Sequence, residues 1–505
     1  MSMVRLQAPA APAEPRPAAG SLGIYLDSLG CAKNLVDSEA MLGLLTARGH
    51  RLCDTPHDAD VLLVNTCGFL EAAREESVER ILELAALKGA GRPRLLAVLG
   101  CLVARAPEEL REAIPEVDLW LPAGRHGALP DLLEGTLAGL PTRAARAATD
   151  RSGSGRAPIG AFAGFGARVL MTPRHTAYLK ISEGCSNTCS FCSIPLMRGT
   201  QRSRPVHDVV DEAERLAAGG VRELHLVAQD LTHYGFDLPG RPDLLDLVRA
   251  LSAVGGLEWI RFLYAHPAHL TRRQQEGLFE VPKVVRYLDM PVQHAAPRLL
   301  RAMRRPYTAE HVRRQIDGLR RRVPGITLRS TVIVGFPGET ERDFATLCRF
   351  VQEARFERLG IFTFSREPGT PSYTLPGRPR ASTATRRLQE LSELQLHLAA
   401  EHAAARVGTR VRLLVDAELS SAEAAEHASP LAAGAVALAR SEGEALDIDG
   451  HVYLEPGAAA DGGAGAPGCF VEAEIVAADV YDLRARPVAS APAPARVRSH
   501  SRNKS

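Results

Sequence analysis

The chain has 505 residues and a mass of 54.3 kDa, enough for about three domains at typical domain size. Apolar residues make up 45% and charged residues 24%, and no apolar run approaches the roughly 18 residues of a membrane span, so disordered, fibrous and membrane-spanning classes are excluded. The net charge of +2 is unevenly spread: residues 1–408 carry +7, residues 409–484 carry −10 and residues 485–505 carry +5.

The stretch Ala8-Pro9-Ala10-Ala11-Pro12-Ala13-Glu14-Pro15 lacks the apolar segment of a secretory signal, so the cytoplasm is the expected compartment. Nine cysteines, an odd number, argue against a disulfide framework there. Metal or cluster ligation is the better expectation wherever spacing supports it.

In chain order, residues 1–21 read as a disordered tail. Residues 22–140 then alternate strand and helix. Strand-like runs fall at 23–29, 59–65, 95–100 and 117–121, with helices at 34–48, 69–87 and 107–113. The first helix places Leu35, Met41, Leu42 and Leu45 on one side, while Val61-Leu62-Leu63-Val64 has the run of a buried strand. Strands spaced by helices imply a mainly parallel sheet. Residues 141–170, with Ser152-Gly153-Ser154-Gly155, read as a linker. Residues 171–404 resume the alternation, with strands at 175–182, 221–228, 258–264, 284–290, 327–334 and 358–364 and helices such as 206–218 and 308–322. Six such units suggest an open or partial parallel barrel, whose chemistry belongs at the C-terminal strand ends. A long helix covers 383–407. Residues 405–486 then carry β-type runs at 411–415, 452–454 and 470–476, expected to form a small antiparallel barrel. Residues 487–505 read as a basic disordered tail.

Two cysteine groups stand out. Cys185-x-x-x-Cys189-x-x-Cys192 directly follows the first barrel strand. Three thiolates on one loop suit three irons of a 4Fe–4S cubane and leave the fourth iron open to a small molecule. The competing reading is zinc, but structural zinc wants four ligands, and His175 and His207 are the nearest histidines. Cys31, Cys67 and Cys101 lie 36 and 34 residues apart, each after a strand. Strand ends of a parallel sheet share one edge, so these three converge in space. Gly30, Gly68 and Gly100 beside them let backbone approach a bulky inorganic core. Small buried apolar cysteines are the bland alternative. Cys53, Cys348 and Cys469 lack such placement and read as structural.

The first group, with Phe191 before its last cysteine and a barrel after it, resembles the radical S-adenosylmethionine (SAM) superfamily. With the second group and the C-terminal barrel, residues 22–486 resemble the methylthiotransferase family. Leu288-Asp289-Met290-Pro291-Val292-Gln293-His294, Ile333-Val334-Gly335-Phe336-Pro337-Gly338-Glu339 and Ser365-Arg366-Glu367-Pro368-Gly369-Thr370 resemble family segments too. The resemblance implies a radical SAM barrel, a C-terminal TRAM barrel and two 4Fe–4S clusters, one on Cys185, Cys189 and Cys192 and one on Cys31, Cys67 and Cys101. It also implies SAM used twice: to methylate a sulfur on the second cluster, and to generate the radical that opens the target carbon. Gln229, Gln293, Arg329 and Gly335 are the candidates to hold SAM, and a reducing electron donor is required.

The family has two branches, one acting on adenosine in tRNA and one, the RimO branch, on an aspartate β-carbon of small-subunit ribosomal protein S-twelve. Ser28-Leu29-Gly30-Cys31-Ala32-Lys33-Asn34-Leu35-Val36-Asp37-Ser38-Glu39 and Ser193-Ile194-Pro195-Leu196-Met197-Arg198-Gly199 resemble the RimO branch, although Ala32 replaces its usual proline. Charge points the same way. A barrel that grips RNA should be basic, whereas this one carries −10 and suits a basic protein, free or on the ribosome. An iron–sulfur or zinc RNA-binding adaptor is the reading from another class. Arg198, Arg202 and Arg204 are candidates to position the target, with solvent exposure expected for at least two.

Overall fold

The computed structural model describes residues 21–88, 93–105, 108–138, 162–457 and 465–488. Of the expected tails over 1–21 and 487–505, all but Ser21, Pro487 and Val488 lie outside the described residues, as does most of the expected linker; Pro487 is not tail but the last residue of a strand. The chain divides into two compact units, Met1–Ala399 and Ala400–Ser505.

The first unit contains two parallel sheets. β1 (Gly23–Ser28), β2 (Arg51–Leu52), β3 (Val61–Thr66), β4 (Leu95–Gly100) and β5 (Leu119–Pro122) stand in the order β2-β1-β3-β4-β5. Two-residue β2 escapes periodicity because it is too short to alternate. β3 and β4 are buried along their whole length, which is why they read as continuous apolar runs. The order reverses between β1 and β3, and such a switch point opens a crevice at the C-terminal strand ends.

The second sheet comprises β6 (Thr176–Lys180), then, beyond the short hairpin β7 (Ser182–Glu183) and β8 (Arg202–Ser203), β9 (Glu223–Val227), β10 (Trp259–Phe262), β11 (Val284–Asp289), β12 (Thr327–Val334) and β13 (Arg358–Thr363). Its order is sequential from β6 through β9 to β13, and every described pairing within it is parallel. It is the open six-stranded barrel expected from the sequence. Leu224 and Leu226 pack outward with Val209, Ala213, Leu247 and Val248 of the covering helices. The alternate residues carry charge: Arg261 Nε and His225 Nε2 each lie 3.0 Å from Glu223 Oε1, all fully buried. Arg261 also lies over the Tyr287 ring, 4.9 Å from its centroid.

Residues 162–170 pack tightly on the helix Ala32–Thr46. A Cβ on Gly43 would stand 1.9 Å from the Ala167 carbonyl oxygen, so only glycine permits this crossing. Arg168, its side chain 1% exposed, pairs there with Glu39 and Glu212.

The second unit is a closed barrel of β14 (Arg410–Glu418), β15 (Ala437–Arg440), β16 (Val452–Leu454), β17 (Phe470–Ala478) and β18 (Leu483–Pro487). Its junctions are antiparallel except β16 with β18, which is parallel. Ala437, Ala439, Ala473 and Ala485 alternate with Leu413, Val415 and Ile475 to fill so narrow an interior. The alanines also explain why β15 is hard to read as a strand from its sequence.

Replacing Arg261 with Met strands Glu223 without its guanidinium. The expected cost is about 3–5 kcal/mol, the usual penalty for breaking one side of a buried ion pair, read as a lower denaturant midpoint.

Candidate iron–sulfur centres

Each cysteine of the N-terminal group stands just past a strand end. Cys31 follows β1 and occupies the N-cap position of the helix Ala32–Thr46 in an extended conformation. Cys67 and Cys101 follow the paired residues Thr66 and Gly100 of β3 and β4. Asn34 ties the first two ends together, its side-chain amide donating to Leu29 O at 2.9 Å and Thr66 O at 3.0 Å. The glycines are sterically required. A Cβ on Gly30, whose φ is +97°, would stand 2.9 Å from Cys67 Cβ, and one on Gly68 would stand 2.8 Å from the Cys101 carbonyl.

The three thiols are close enough to repel one another as thiolates. Burial, aided by Cys31 and Cys101, pushes the Cys67 thiol up to about 12, and burial raises Cys101 as well. Cys31 goes the other way. Burial would raise it, but Lys33, Arg198 and the backbone N–H groups of Asn34 and Lys33 together hold it below the usual thiol range.

The second group sits on the loop between β7 and β8, whose antiparallel pairing closes the loop at its base. Gly184 has φ +74°, and a Cβ there would stand 2.5 Å from the Thr200 carbonyl oxygen. Cys185 N donates to Gly199 O at 3.0 Å, and Ser190 N donates to Met303 O at 3.0 Å. Phe191 packs against a cluster containing Leu299, Met303, Phe336 and Phe364. Burial lifts Cys185 to about 11 and raises Cys192 further, with Cys189 adding repulsion in both cases.

Buried charge joins the two sheets at this edge. Lys180 binds Asp37 and, at 2.6 Å, Glu183. Arg198 binds the same carboxylates at 3.1 and 2.8 Å. All four side chains are at most 5% exposed. Burial would raise the Glu183 carboxyl, yet Arg198 and Lys180 pull it down to about 2. Arg198 also donates from Nε to Cys101 Sγ at 3.2 Å and from a terminal nitrogen to Asn34 Oδ1. Elsewhere on the joint, Arg74 and Arg105 both bind Glu367 of the last barrel loop.

The Uncharacterized protein family UPF0004 matches residues 23–122, the Radical SAM superfamily 179–351 and the TRAM domain 407–488. The "Ribosomal protein uS12 methylthiotransferase RimO" of an Anaeromyxobacter species is 46% identical over 94% of both chains. That of Myxococcus xanthus is 44% identical over 92% of this chain and 91% of its own. That of Geobacter sulfurreducens is 41% identical over 91% of this chain and 97% of its own. The chain belongs to the RimO family of methylthiotransferases.

Among solved structures, the radical SAM methyltransferase TsrM from Kitasatospora setae superposes with a TM-score of 0.53 over 79% of each chain at 15% identity, a likeness of fold. Family and radical SAM domain together imply SAM and iron–sulfur chemistry. The two sets of converging, crowded thiols, each with glycine beside it, fit such groups.

The four expected SAM residues differ in what already occupies them. Gln229 follows β9, and both polar atoms of its amide are buried with no hydrogen-bond partner among the described residues. Gln293, with φ +64°, extends the ladder through its backbone, donating to Thr331 O and accepting from Ile333 N, both at 2.8 Å. Arg329 binds Asp289 at 3.1 Å. Gly335, with φ +75°, lies where a Cβ would be 2.8 Å from Ala384 Cβ, and its N–H donates to Glu339. Glu339 in turn is held by Arg387 and His294.

The expectation of exposed arginines on the cluster loop is corrected: Arg198 and Arg204 are each 3% exposed. The loop folds back on acidic groups, and Arg204 is consumed by Glu212 and backbone carbonyls. Cys53 lies beside Gly23, at the far end of β1 from Cys31. Cys348 packs on the barrel core, and Cys469 is exposed.

Sequence reasoning missed several polar residues here. Asp230 accepts from Asn187 at 2.8 Å and contacts His269 at 2.6 Å, while Asn187 also donates to Cys185 Sγ at 3.5 Å. Arg305 donates to Cys189 Sγ at 3.5 Å. Asp230 adjoins Gln229 at a strand end, a signal that could have found it; Arg305 carries none. Asp230, His266 and His269 are near enough for a metal ion, but His266 Nδ1 already accepts from Ala268 N, which puts its proton on Nε2. His266, His269, His233 and Phe236 instead stack in a column.

In metal-free protein near neutral pH, alkylation by iodoacetamide should reach Cys31 before Cys67 or Cys101, because the thiolate reacts and only Cys31 is held below the usual range. Peptide mapping over a time course reads the order.

Proposed function

We propose that this chain inserts a methylthio group at the β-carbon of an aspartate in ribosomal protein uS12, using two SAM and a 4Fe–4S cluster on each cysteine trio. The observation that carries this reading is that Arg198, on the same barrel loop as Cys185, Cys189 and Cys192, touches Cys101 of the N-terminal sheet. When bound, the radical SAM cluster supplies reductive cleavage of SAM, and so a radical able to take hydrogen from an unactivated carbon.

The chain's own residues have separate tasks. Cys185, Cys189 and Cys192 hold one cluster, and Asn187 and Arg305 orient its thiolates by donating to them. Gln229 offers its unsatisfied amide to SAM, and Gln293 its side chain. Arg329 and Gly335 act by shaping the strand ends around it. Cys31, Cys67 and Cys101 hold the second cluster, the one assigned to sulfur transfer. Arg198 and Lys180 are balanced by Asp37 and Glu183, and Arg305 is held by Tyr307, Cys189 and the Pro291 carbonyl; Lys33 has no carboxylate partner among the described residues, and its Nζ stands 3.5 Å from the Tyr264 ring centroid. We assign it the target carboxylate.

The C-terminal barrel supports a protein substrate over tRNA. Its segment 409–484 carries −10, and Arg440 and Arg484 are bound to Asp416 and Glu455 rather than free for phosphate. Among the described residues no helix is long and apolar enough to cross a membrane.

Mass spectrometry of uS12 and of digested tRNA from cells with and without the gene tests the function. A methylthio increment on a uS12 aspartate should vanish with the gene; loss of a methylthioadenosine with uS12 unchanged sinks the reading. In purified protein, about eight irons per chain are expected if each cluster is a four-iron cubane. Cys67→Ala should keep SAM cleavage and lose methylthiolation, whereas Cys189→Ala should lose both. Lys33→Met, close in length but neutral, should raise KM for a uS12 peptide at least tenfold while SAM cleavage without peptide persists. An unchanged KM removes Lys33 from substrate binding.

A further inference from the structure

Arg198 is six positions past Cys192 in sequence, yet its guanidinium is spent on the other trio. It is 3% exposed and donates to the Cys101 sulfur at 3.2 Å. Its remaining nitrogens are fixed by Asn34, Asp37 and Glu183, so the donor cannot swing away from the sulfur. A planar guanidinium held at several points is a rigid donor, unlike an ammonium on a flexible stem.

We propose that Arg198 is a positioning residue that sets the reduction potential of the cluster on Cys31, Cys67 and Cys101, with Asp37 and Glu183 limiting how strongly it does so. The inference rests on the cluster reading given above. Three thiolates around an iron–sulfur core gain negative charge when the core takes an electron. A buried cation that donates a hydrogen bond to one of those sulfurs stabilises the reduced form, and hydrogen bonds to sulfur are a recognised control of such potentials. The low-dielectric joint strengthens that effect, because solvent cannot screen it. The carboxylates oppose it. Each lies against the same guanidinium and offsets part of its charge at Cys101.

The opposition makes the sign of the effect testable. The full-length chain carrying Cys185→Ala, Cys189→Ala and Cys192→Ala retains only the N-terminal cluster, and about four irons per chain verify that it is present. Its midpoint is then read by dithionite titration followed by electron paramagnetic resonance. Arg198→Met should shift the midpoint negative, and Arg198→Lys should restore part of the shift. Glu183→Gln, which leaves the guanidinium less compensated, should shift the midpoint positive and decides the matter even if Arg198→Met fails to fold. A residue that merely held the joint together would shift both variants in one direction, or neither, and either result overturns the proposal. Absence of iron from the three-alanine chain overturns the cluster reading itself, a failure visible before any titration.

Discussion

The structure depends on four buried charges, Lys180, Arg198, Asp37 and Glu183, that close the joint between two parallel sheets. Such groups cost several kcal/mol each to take out of water, and they persist only where partners and hydrogen bonds replace the solvent. Here they do. Two cations meet two carboxylates, Asn34 and Cys101 take further donors from Arg198, and Glu183 remains ionised. The arrangement is a specificity device in the physical sense: a small slip between the sheets would bury an unpaired charge. It therefore fixes one cysteine-bearing edge against the other more sharply than an apolar contact could.

Parallel strands explain why chemistry gathers at that edge. All strands of a parallel sheet end on the same side, so residues far apart in sequence become neighbours there. The N-terminal sheet uses this to bring three cysteines together, and the barrel uses it to bring Gln229, Asp230 and Gln293 to the same rim as its cluster loop. Each cysteine trio also receives one buried arginine, Arg198 on Cys101 and Arg305 on Cys189. Thiols crowded together and removed from water resist deprotonation, as Cys67, Cys185 and Cys192 show. Metal binding to either trio would have to displace these protons, so it would be coupled to proton release.

The C-terminal unit carries the opposite electrostatic design. Its interior is filled by alanines and branched aliphatics, and several of its arginines are engaged by acids or by an aromatic ring. Charge of this kind governs encounter and rejection of wrong partners more than affinity. A net-acidic surface attracts basic partners and repels nucleic acid.

Much of this was readable in the residues. Cys185-x-x-x-Cys189-x-x-Cys192 declares itself by local spacing, and Cys31, Cys67 and Cys101 declare themselves by following strands with buried-type runs. The order of domains and the open parallel barrel follow from the alternation of strand and helix periods. Short or alanine-built strands, β2 and β15, were illegible because neither length nor side-chain pattern distinguishes them from loop. The fate of Arg198 was illegible for a deeper reason. Its contact with Cys101 spans 97 residues, and the contact of Lys180 with Asp37 spans 143. From the residues alone come the two cysteine groupings, since thiol spacing is local and strand ends share an edge by topology. Only the tertiary structure decided which cations reach which sulfurs, because that depends on how two separately folded sheets dock and on which charges their burial forces into pairs.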